Sequence, residues 1–261
     1  MVGTDGSETI STLTPIHAMT PSEANPDDGA DAAAGDRSGE TYSRLRELIV
    51  RGQLAPGSRI IETDVAERLG VSRTPVRSAL QRLEQEGFIE SDSRNGGRAR
   101  PVVAPLTKKD ARELMYLLGS LEGLAARWTT NLPDEERQQV VADLRAVNDR
   151  MVETAESETP DRNRFFDIDA EFHRTFVEPG AGSRLRRLHS AYRPQAERYV
   201  RFYVTTQQYS LDRSLKEHEE IIEAIESGDP ARAEEAVDQN WRSAEERLQR
   251  DIEVAGERGS W

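Results

Sequence analysis

The sequence predicts a mainly α-helical protein with an N-terminal winged helix-turn-helix and a C-terminal, all-helical antiparallel bundle. Three observations predict this fold class. Residues 62–86 have the apolar spacing of two short helices joined by a tight turn, and residues 87–103 have the pattern of a β-hairpin. From residue 108 to about Gly256 only helical periodicity is present, without a strand signal. A chain of 261 residues is long enough for two such domains.

The N-terminal segment precedes the first domain. Residues 1–39 are rich in Gly, Ala, Ser, Asp and Pro and poor in large apolar side chains, so they are predicted to form a disordered acidic tail. The first helix is expected to begin near Glu40, with apolar side chains on one face as far as Ile49, and to end at Gly52. Residues 40–105 are predicted to form the first domain.

A helix-turn-helix is predicted around Gly70. This glycine can adopt the left-handed conformation that ends a helix, and Ser72 stands where the next helix would be capped. The start of that second helix carries Ser72, Arg73, Thr74 and Arg77. Their hydroxyl and guanidinium groups are of the kind that binds guanine edges and phosphates in a DNA major groove. A surface helical hairpin with scattered arginines is the alternative that this pattern alone leaves open.

A β-hairpin is predicted next, which would form the wing. Residues 87–90 have the composition of a short strand, residues 94–98 that of a turn, and residues 99–103 can return as a second strand. Arg94 and Arg98 would lie at and beside the tip of this wing, where they are predicted to contact DNA.

The charge of the chain is unevenly distributed. The net charge is −13, yet residues 42–105 carry eleven Arg against eight Asp and Glu, a net of +3. A basic patch confined to the winged domain suits binding to DNA. The chain has no cysteine, no apolar run of transmembrane length, and no basic start followed by an apolar core within residues 1–20. A cytoplasmic protein without disulfides or a membrane segment is therefore expected.

The second domain, residues 106–255, is predicted to be a helical bundle. Helix N-terminal signals occur at Thr107 and at the pairs Pro133-Asp134 and Asp229-Pro230. The predicted helices span residues 108–130, 134–156, 161–178, 183–207, 211–227 and 231–253.

Four polar side chains of this bundle are predicted to point into its core. Asp169 and His173 fall inside the apolar arc of residues 165–178, and His218 and Asn240 fall inside the apolar arcs of their own helices. Burying them without partners would cost about 1–3 kcal/mol each or more. They are therefore expected to meet one another, water, a metal or a ligand. A satisfied hydrogen-bond cluster and a metal site both remain open at this point.

The fourth predicted helix of the bundle is rich in arginine. Arg198 and Arg201 are predicted to face the pocket that contains the inward polar groups, where guanidinium groups would bind an anionic effector. Most other arginines of this helix are expected to be solvated or paired with acidic side chains.

Residues 42–105 resemble the winged helix-turn-helix of the GntR family of transcription regulators. Three segments carry the resemblance in order: Leu-Ala-Pro-Gly at 54–57, Leu-Gly-Val-Ser-Arg-Thr-Pro-Val-Arg at 69–77, and Leu-Glu-Gln-Glu-Gly at 83–87. The resemblance implies that Arg73 and Arg77 contact operator DNA and that the wing lies on the adjacent minor groove or backbone.

Residues 107–250 resemble the FCD effector domain of the FadR-type branch of that family. The segment Asp-Ala-Glu-Phe-His at residues 169–173 is similar to its Asp-x-x-Phe-His motif, and residues 218–229 are similar to a later motif. The resemblance implies an all-helical effector domain, a homodimer and a small organic acid as the signal. A homodimer would read an inverted repeat in double-stranded DNA, because one winged domain covers only a half-site.

The resemblance also implies a divalent metal, such as zinc, nickel or manganese, at positions that match Asp169, His173 and His218. The remaining family ligand, a histidine of the last helix, falls on Asn240 here. A neutral amide oxygen is a poorer ligand for zinc than imidazole, so the sequence predicts either weak metal binding or a metal-free cluster that binds water or ligand directly.

Three functions are compatible with these features. A transcription regulator whose operator binding responds to a small organic acid accounts for both domains. A metal-dependent, hydrolase-like enzyme would use Asp169, His173 and His218, but no separate nucleophile or general base is evident beside them. A DNA-binding protein without any ligand is the third interpretation. The first function is predicted, and the protein is not expected to be an enzyme.

Overall fold

The computed structural model describes residues 27–92, 100–203 and 211–259. Within these ranges the chain forms nine helices and one two-stranded sheet. In chain order the elements are α1 (Asp27–Val50), α2 (Glu62–Leu69), α3 (Arg73–Gln85), β1 (Ile89–Asp92), β2 (Arg100–Val103), α4 (Lys108–Thr129), α5 (Asp134–Ala155), α6 (Arg162–Gly180), α7 (Ser183–Tyr203), α8 (Leu211–Glu226) and α9 (Pro230–Ala255). The predicted fold class is confirmed, with a winged helix-turn-helix unit followed by helices alone.

The first helix begins earlier than the sequence predicts. We expected a disordered tail over residues 1–39 and a helix from about Glu40, whereas α1 starts at Asp27. Residues 30–34 read Ala-Asp-Ala-Ala-Ala, and alanine has the highest helix propensity. The sequence prediction gave more weight to the scarcity of large apolar side chains in this segment and therefore missed this helix signal. The expectation of disorder is therefore corrected for residues 27–39, and the rest of the predicted tail lies outside the described residues.

The winged unit packs α1, α2, α3 and the sheet around one apolar core. Leu45, Val76, Leu83, Phe88 and Val103 are completely buried in this core. These side chains come from α1, α3 and the two ends of the hairpin, so the core holds the second helix of the helix-turn-helix against the base of the wing.

The turn between α2 and α3 is the one that the sequence predicts. Gly70 has a φ of 67°, a left-handed conformation that glycine adopts without steric cost. The N–H of the following residue, Val71, donates to the carbonyl of Ala66 at 3.0 Å, which closes the C-terminus of α2. The short turn places the N-terminus of α3 at the surface, where the predicted DNA-contacting residues lie.

The two strands of the wing are antiparallel. Ile89 is opposite Val103, and Asp92 is opposite Arg100, so the hairpin is in register from its base outward. Arg94 and Arg98, which were predicted to contact DNA at the wing tip, lie outside the described residues.

The helical unit is organised around the close pair α4 and α9. A Cβ atom added to Gly119 of α4 would lie 3.2 Å from the Cβ of Trp241, and one added to Gly123 would lie 3.2 Å from the carbonyl oxygen of Glu234. Both distances are tight for a Cβ contact, so the two glycines allow α4 and α9 to approach each other. This approach brings the indole of Trp241 to the middle of α4.

The remaining helices complete a second apolar core. Phe172 and Phe176 of α6, Ile221 of α8 and Val237 of α9 are completely buried in it, together with Leu118 of α4. The predicted helix limits agree with α4–α9 to within two residues, apart from the end of the fourth helix, which was predicted near residue 207 and lies outside the described ranges. Among the described helices, none combines the length and the apolar character that crossing a membrane requires.

Candidate functional site

The exposed N-terminal part of α3, here called the recognition face, carries the side chains that are predicted to contact DNA. Ser72, Arg73, Thr74 and Arg77 are all exposed there, as the sequence predicts. Ser72 occupies the N-cap position with an extended backbone, but its side chain makes no capping hydrogen bond. Its hydroxyl group is therefore available to a ligand outside the helix. The two arginines are one helical turn apart, so they project from the same face of α3.

Glu62, the first residue of α2, contacts this recognition face. Its carboxylate accepts hydrogen bonds from Nε and Nη2 of Arg77 at 3.3 and 2.9 Å, and from Nη2 of Arg73 at 3.3 Å. The sequence prediction did not include Glu62, because helical spacing says nothing about a contact between the start of one helix and the start of the next.

A completely buried carboxylate, that of Glu122 in α4, lies at the centre of the helical unit. Four donors from three other helices converge on it: Nδ1 of His173 at 2.5 Å, Nε2 of His189 at 2.7 Å, Nη1 of Arg193 at 3.1 Å and Nε1 of Trp241 at 2.8 Å. Burial alone would raise the pKa of Glu122, but the charge of Arg193 and the hydrogen bonds from His173 and His189 outweigh burial and hold the pKa well below its ordinary value. Glu122 therefore stays charged and links α4 to α6, α7 and α9.

The structure brings together the three predicted metal ligands. One ligand atom from each of Asp169, His173 and His218 lies within 4.8 Å of the other two. Nε2 of His218 is 3.5 Å from Oδ1 of Asp169, and Nε2 of His173 is 4.0 Å from the same oxygen atom. Asp169 and His173 lie one turn apart on α6, and His218 reaches them from α8. The helical periodicity therefore correctly placed all three side chains on the inside of the bundle.

His218 is completely buried, and neither of its ring nitrogen atoms makes a hydrogen bond with any described residue. Its ring stacks on that of Phe172 with the two centroids 3.9 Å apart. Burial lowers the pKa of His218 to about 3, against the opposing effect of Asp169, so the imidazole is neutral at neutral pH. A buried, neutral imidazole without a hydrogen-bond partner is a suitable metal ligand.

The bond between His173 and Glu122 also suits metal coordination. Nδ1 of His173 donates to Oε2 of Glu122, which leaves Nε2 of His173 to face Asp169 and His218. Metal-ligating histidines usually donate their other ring N–H to a carboxylate in this way, which fixes the tautomer and raises the basicity of the ligating nitrogen. The residues present therefore fit a divalent cation held by one carboxylate and two imidazoles.

Arg193 of α7 was not predicted and is a principal part of the site. Its guanidinium donates to Oε1 of Glu122 at 3.1 Å and to Oδ2 of Asp169 at 2.9 Å. One oxygen atom of Asp169 is thus bound to Arg193, while the other, Oδ1, faces the two histidines. The arginine neutralises part of the buried negative charge and orients the carboxylate.

A cavity of about 40 Å³, here called the central cavity, opens beside these groups. Its polar lining comes from α6, α7, α8 and α9, and consists of Asp169, His173, Arg193, Glu197, Arg201, Ser214, Asn240 and Arg247. A cavity of this size holds a few water molecules, since about 10–15 Å³ of space open to the centre of a water-sized sphere accommodates one. Its walls carry donors, acceptors and three guanidinium groups.

Two of the three residues predicted for the effector pocket line the central cavity. Arg201 and Asn240 do so, and Nδ2 of Asn240 also donates to Glu217 at 3.2 Å. Arg198 does not line it: its Nη2 donates to the carbonyl of Ala104 at 2.6 Å, and its guanidinium lies over the ring of Phe88. The prediction for Arg198 is therefore corrected, because this side chain points from α7 to the winged unit.

Three further side chains of the polar centre were missed from the sequence, namely Glu122, His189 and Trp241. Glu122 follows the apolar spacing of Met115 and Leu118 in α4, so a helical wheel of α4 would have shown a carboxylate in its apolar arc. His189 and Arg193 gave no such signal, because α7 carries charged residues around most of its circumference.

Comparison with known protein families matches both units of the chain. Residues 37–98 match the family of bacterial regulatory proteins called gntR, and residues 113–243 match the FCD domain. A probable D-xylose utilization operon transcriptional repressor of Paenarthrobacter nicotinovorans is 32% identical over 199 residues, which cover 75% of this chain and 83% of that protein. The gluconate operon transcriptional repressor of Bacillus subtilis is 26% identical over 209 residues, covering 78% and 82% of the two chains.

Among solved structures, McbR/YncC of E. coli has the same fold. The TM-score is 0.68 at 18% identity, and the match covers 82% of this chain and 97% of that one. The chain therefore belongs to the GntR family of bacterial transcription regulators and has an FCD domain as its C-terminal unit. It is a transcription regulator and not an enzyme, so the hydrolase-like alternative does not hold.

Proposed function

We propose that this protein is a repressor that binds an inverted-repeat operator as a homodimer and responds to a small organic acid in the central cavity. Membership of the family supports binding of operator DNA and of an effector in general terms. The observation that carries the finer proposal is the convergence of Asp169, His173 and His218 beside a cavity lined by guanidinium groups. The names of both relatives describe transcriptional repressors, which supports the direction of control.

Operator contacts are assigned to the recognition face. Ser72, Arg73, Thr74 and Arg77 form an exposed set of donors at the N-terminus of α3, the part of a recognition helix that meets base edges. The helix dipole at this terminus also favours a phosphate. Arg94 and Arg98 of the wing are proposed to add contacts to the DNA backbone, which would position the protein without reading sequence.

The effector is assigned to the central cavity. A divalent cation held by Asp169, His173 and His218 would supply a Lewis-acid site for oxygen atoms of the effector. Arg201 supports binding of an anion, because its Nε and Nη1 atoms are buried and make no hydrogen bond with the described residues. Asn240 and Ser214 add neutral polar groups that would distinguish hydroxyl-bearing acids from purely apolar ones.

Helix α7 connects the central cavity to the winged unit. One of its faces supplies Arg193 and Arg201 to the cavity. Another face bonds to the winged unit: Nε2 of Gln195 donates to the carbonyl of Glu86 at 2.6 Å, and Nη2 of Arg198 donates to that of Ala104 at 2.6 Å. The carbonyl of Glu86 directly follows α3, so a shift of α7 would be transmitted to the recognition helix.

The small volume of the central cavity supports such a shift. At about 40 Å³ it has room for a few water molecules and not for an acid with several carbon atoms, so binding of such an acid is proposed to move its wall outward. α7 provides more of the lining than any other helix, with Arg193, Ala196, Glu197, Val200 and Arg201. Effector binding is therefore proposed to displace α7 and, through Gln195 and Arg198, to change the orientation of the winged unit.

The homodimer is proposed from geometry and from exposed apolar side chains. One winged unit covers a single half-site, so an inverted repeat requires two copies. Tyr116 and Trp128 of α4 are 49% and 41% exposed, and Leu188 of α7 is 48% exposed. Large apolar side chains at this exposure on neighbouring helices are suited to an interface between copies.

The proposal is tested with the operator itself. The bound sites would be selected from genomic DNA with the full-length protein, and operator affinity would be measured while sugar acids and other carboxylates are titrated. One class of acid is expected to change operator affinity by about 5- to 150-fold, the usual range of allosteric coupling. Arg201→Gln is expected to lose this response, whereas Arg164→Gln, a change of the same charge at an exposed site on α6, retains it.

Two results would contradict the proposal. Operator binding that no carboxylate alters, together with thermal unfolding that no carboxylate shifts, would make this a DNA-binding protein without an effector. A monomer in light scattering at micromolar concentration, with full operator affinity, would contradict the homodimer.

A further inference from the structure

We propose that Glu62 is a positioning residue for operator recognition: it holds Arg73 and Arg77 in one arrangement and weakens their binding to non-cognate DNA. This inference is independent of effector and metal. It rests on the proposed DNA contacts of Arg73 and Arg77, and the experiment below separates the two.

The geometry is that of a single carboxylate shared by two arginines. Arg77 donates from Nε and Nη2 to the two oxygen atoms of Glu62, at 3.3 and 2.9 Å, which is a bidentate pair. Arg73 donates from Nη2 to Oε2 at 3.3 Å. Bidentate pairing fixes the plane of a guanidinium group as well as its position. The carboxylate therefore sets the orientation of Arg77 and draws Arg73 toward it.

Both arginines remain accessible while they are held. Their side chains are 60% exposed, whereas the side chain of Glu62 is 28% exposed. A guanidinium group has five N–H donors, and Glu62 accepts two from Arg77 and one from Arg73. The remaining donors can meet guanine O6 and N7 or phosphate oxygens. Glu62 thus occupies the side of the arginines that faces α2 and leaves the outer side to DNA.

A contribution to folding stability does not explain the ion pairs of Glu62 with Arg73 and Arg77. Exposed pairs between arginine and a carboxylate contribute little to folding. Hydrogen bonds from Arg77 and Arg73 lower the pKa of Glu62, so the carboxylate is charged at neutral pH. It places one negative charge among the cations that would otherwise bind any phosphate.

Two consequences for DNA binding follow. Non-specific affinity depends on the cations that neutralise phosphates, so a carboxylate beside two arginines lowers it. Specific affinity depends on the alignment of guanidinium donors with base edges, and an arrangement formed before binding reduces the entropy lost on binding. Loss of the Glu62 charge is therefore expected to strengthen binding to random DNA and to weaken discrimination in favour of the operator.

The test compares Glu62→Gln with Glu67→Gln in the full-length protein. Glu67 is an exposed residue of the same helix, so both variants remove one negative charge from α2. The dissociation constants for the selected operator and for a scrambled duplex would be measured by fluorescence anisotropy at several salt concentrations. The ratio of the two constants is the readout, because a partly unfolded sample changes both constants equally.

The expected result is a fall of about tenfold in the specificity ratio for Glu62→Gln, comparable to the loss of one good base contact, and an unchanged ratio for Glu67→Gln. Glu62→Asp, which keeps the charge on a shorter side chain, is expected to restore part of the ratio. An unchanged ratio in Glu62→Gln, or equal falls in both glutamine variants, would overturn the inference. If either of these contradicting results were obtained but Arg73→Ala still weakened operator binding, the proposed DNA contacts would stand and only the role of Glu62 would fail.

Discussion

Nδ1 of His173 lies 2.5 Å from Oε2 of Glu122, and this bond turns the opposite ring nitrogen toward Asp169 and His218. The same carboxylate accepts from Arg193, which in turn binds the other oxygen atom of Asp169. Glu122 and Arg193 therefore act as the support of the three proposed ligands, although neither belongs to that set.

Removal of the Glu122 carboxylate is predicted to destabilise the helical unit strongly. Glu122→Ala would remove the buried carboxylate that accepts from His173, His189, Arg193 and Trp241 and would leave Asp169 as the remaining hydrogen-bond acceptor of Arg193. Removing one partner of such a buried ion pair typically costs about 3–5 kcal/mol. Urea unfolding followed by circular dichroism measures this change. Glu113→Ala, an exposed position on the same helix, is the control and is expected to change stability by less than about 0.5 kcal/mol. Similar losses in both variants would contradict the central role of Glu122.

Metal binding is predicted to require His173 and to increase when Asn240 is replaced by histidine. His173→Ala removes one of two imidazole ligands and should abolish metal retention, whereas Asn240→His adds an imidazole at a position that lines the cavity. Elemental analysis after purification without chelator measures bound zinc, nickel and manganese. His189→Gln is the control, since His189 bonds to Glu122 but lies outside the ligand set.

A protein without bound metal would favour a metal-free polar cluster at this site. If neither the wild type nor Asn240→His retained metal after supplementation, Asp169, His173 and His218 would form a buried polar cluster that binds water or effector directly. Loss of metal in His189→Gln as well would indicate a general disturbance of the site rather than the loss of a ligand.

Stability is predicted to fall with acid through His218. Its pKa is about 3 in the folded protein and 6.5 ordinarily, so the unfolded chain binds a proton that the folded chain does not over that interval. The contribution of His218 to stability is complete above pH 6.5 and is lost as the pH falls toward 3. Between these two pKa values, the free energy of unfolding is expected to fall by up to about 1.4 kcal/mol per pH unit because of this one group.

Chemical denaturation of chelator-treated protein at a series of pH values measures this loss. His218→Phe removes the titrating group and keeps an aromatic ring against Phe172, so its stability should fall less steeply over the same interval. Glu122 and Asp169, whose pKa values are also lowered, add a further loss at more acidic pH in both proteins. Equal slopes above pH 4.5 in the wild type and His218→Phe would disprove the assignment.

Sequence discrimination is predicted to depend on Arg73. Arg73→Ala should cost about 1–3 kcal/mol on the selected operator and relax base preference at one position, since a bidentate guanine contact is of this size. Affinity for single-base variants of the operator measures the effect. Arg164→Ala, in the helical unit, removes the same charge and should leave the base preference unchanged. Unchanged operator affinity in Arg73→Ala would show that the N-terminus of α3 does not contact the operator as proposed.

Communication between the two units is predicted to depend on Gln195. Gln195→Ala breaks the bond to the carbonyl of Glu86 but touches neither the recognition face nor the central cavity. Effector affinity and operator affinity measured separately should persist, while the effect of one on the other decreases by about 1 kcal/mol or more. Gln139→Ala, at an exposed site on α5, is the control. Full coupling in Gln195→Ala would exclude this bond from the transmission.

Local patterns in the sequence determined the elements and their inward faces. The spacing around Gly70 was enough to predict the helix-turn-helix, because a turn and two amphipathic helices depend on neighbouring residues only. The wheels of α6 and α8 were enough to place Asp169, His173 and His218 inside the bundle, since each lies within a continuous apolar arc.

Only the tertiary structure decided which polar groups meet. Glu122 and Arg193 are 71 positions apart, and their contact depends on how α4 and α7 cross, which no local pattern records. Arg198 and Arg201 lie on a helix that is charged on most sides, so periodicity could not show that one faces the winged unit and the other the central cavity. The contact of Glu62 with Arg73 and Arg77 likewise depends on how α2 packs against α3. A helical repeat fixes the direction of a side chain about its own axis, but the partner it reaches depends on the packing of a second helix.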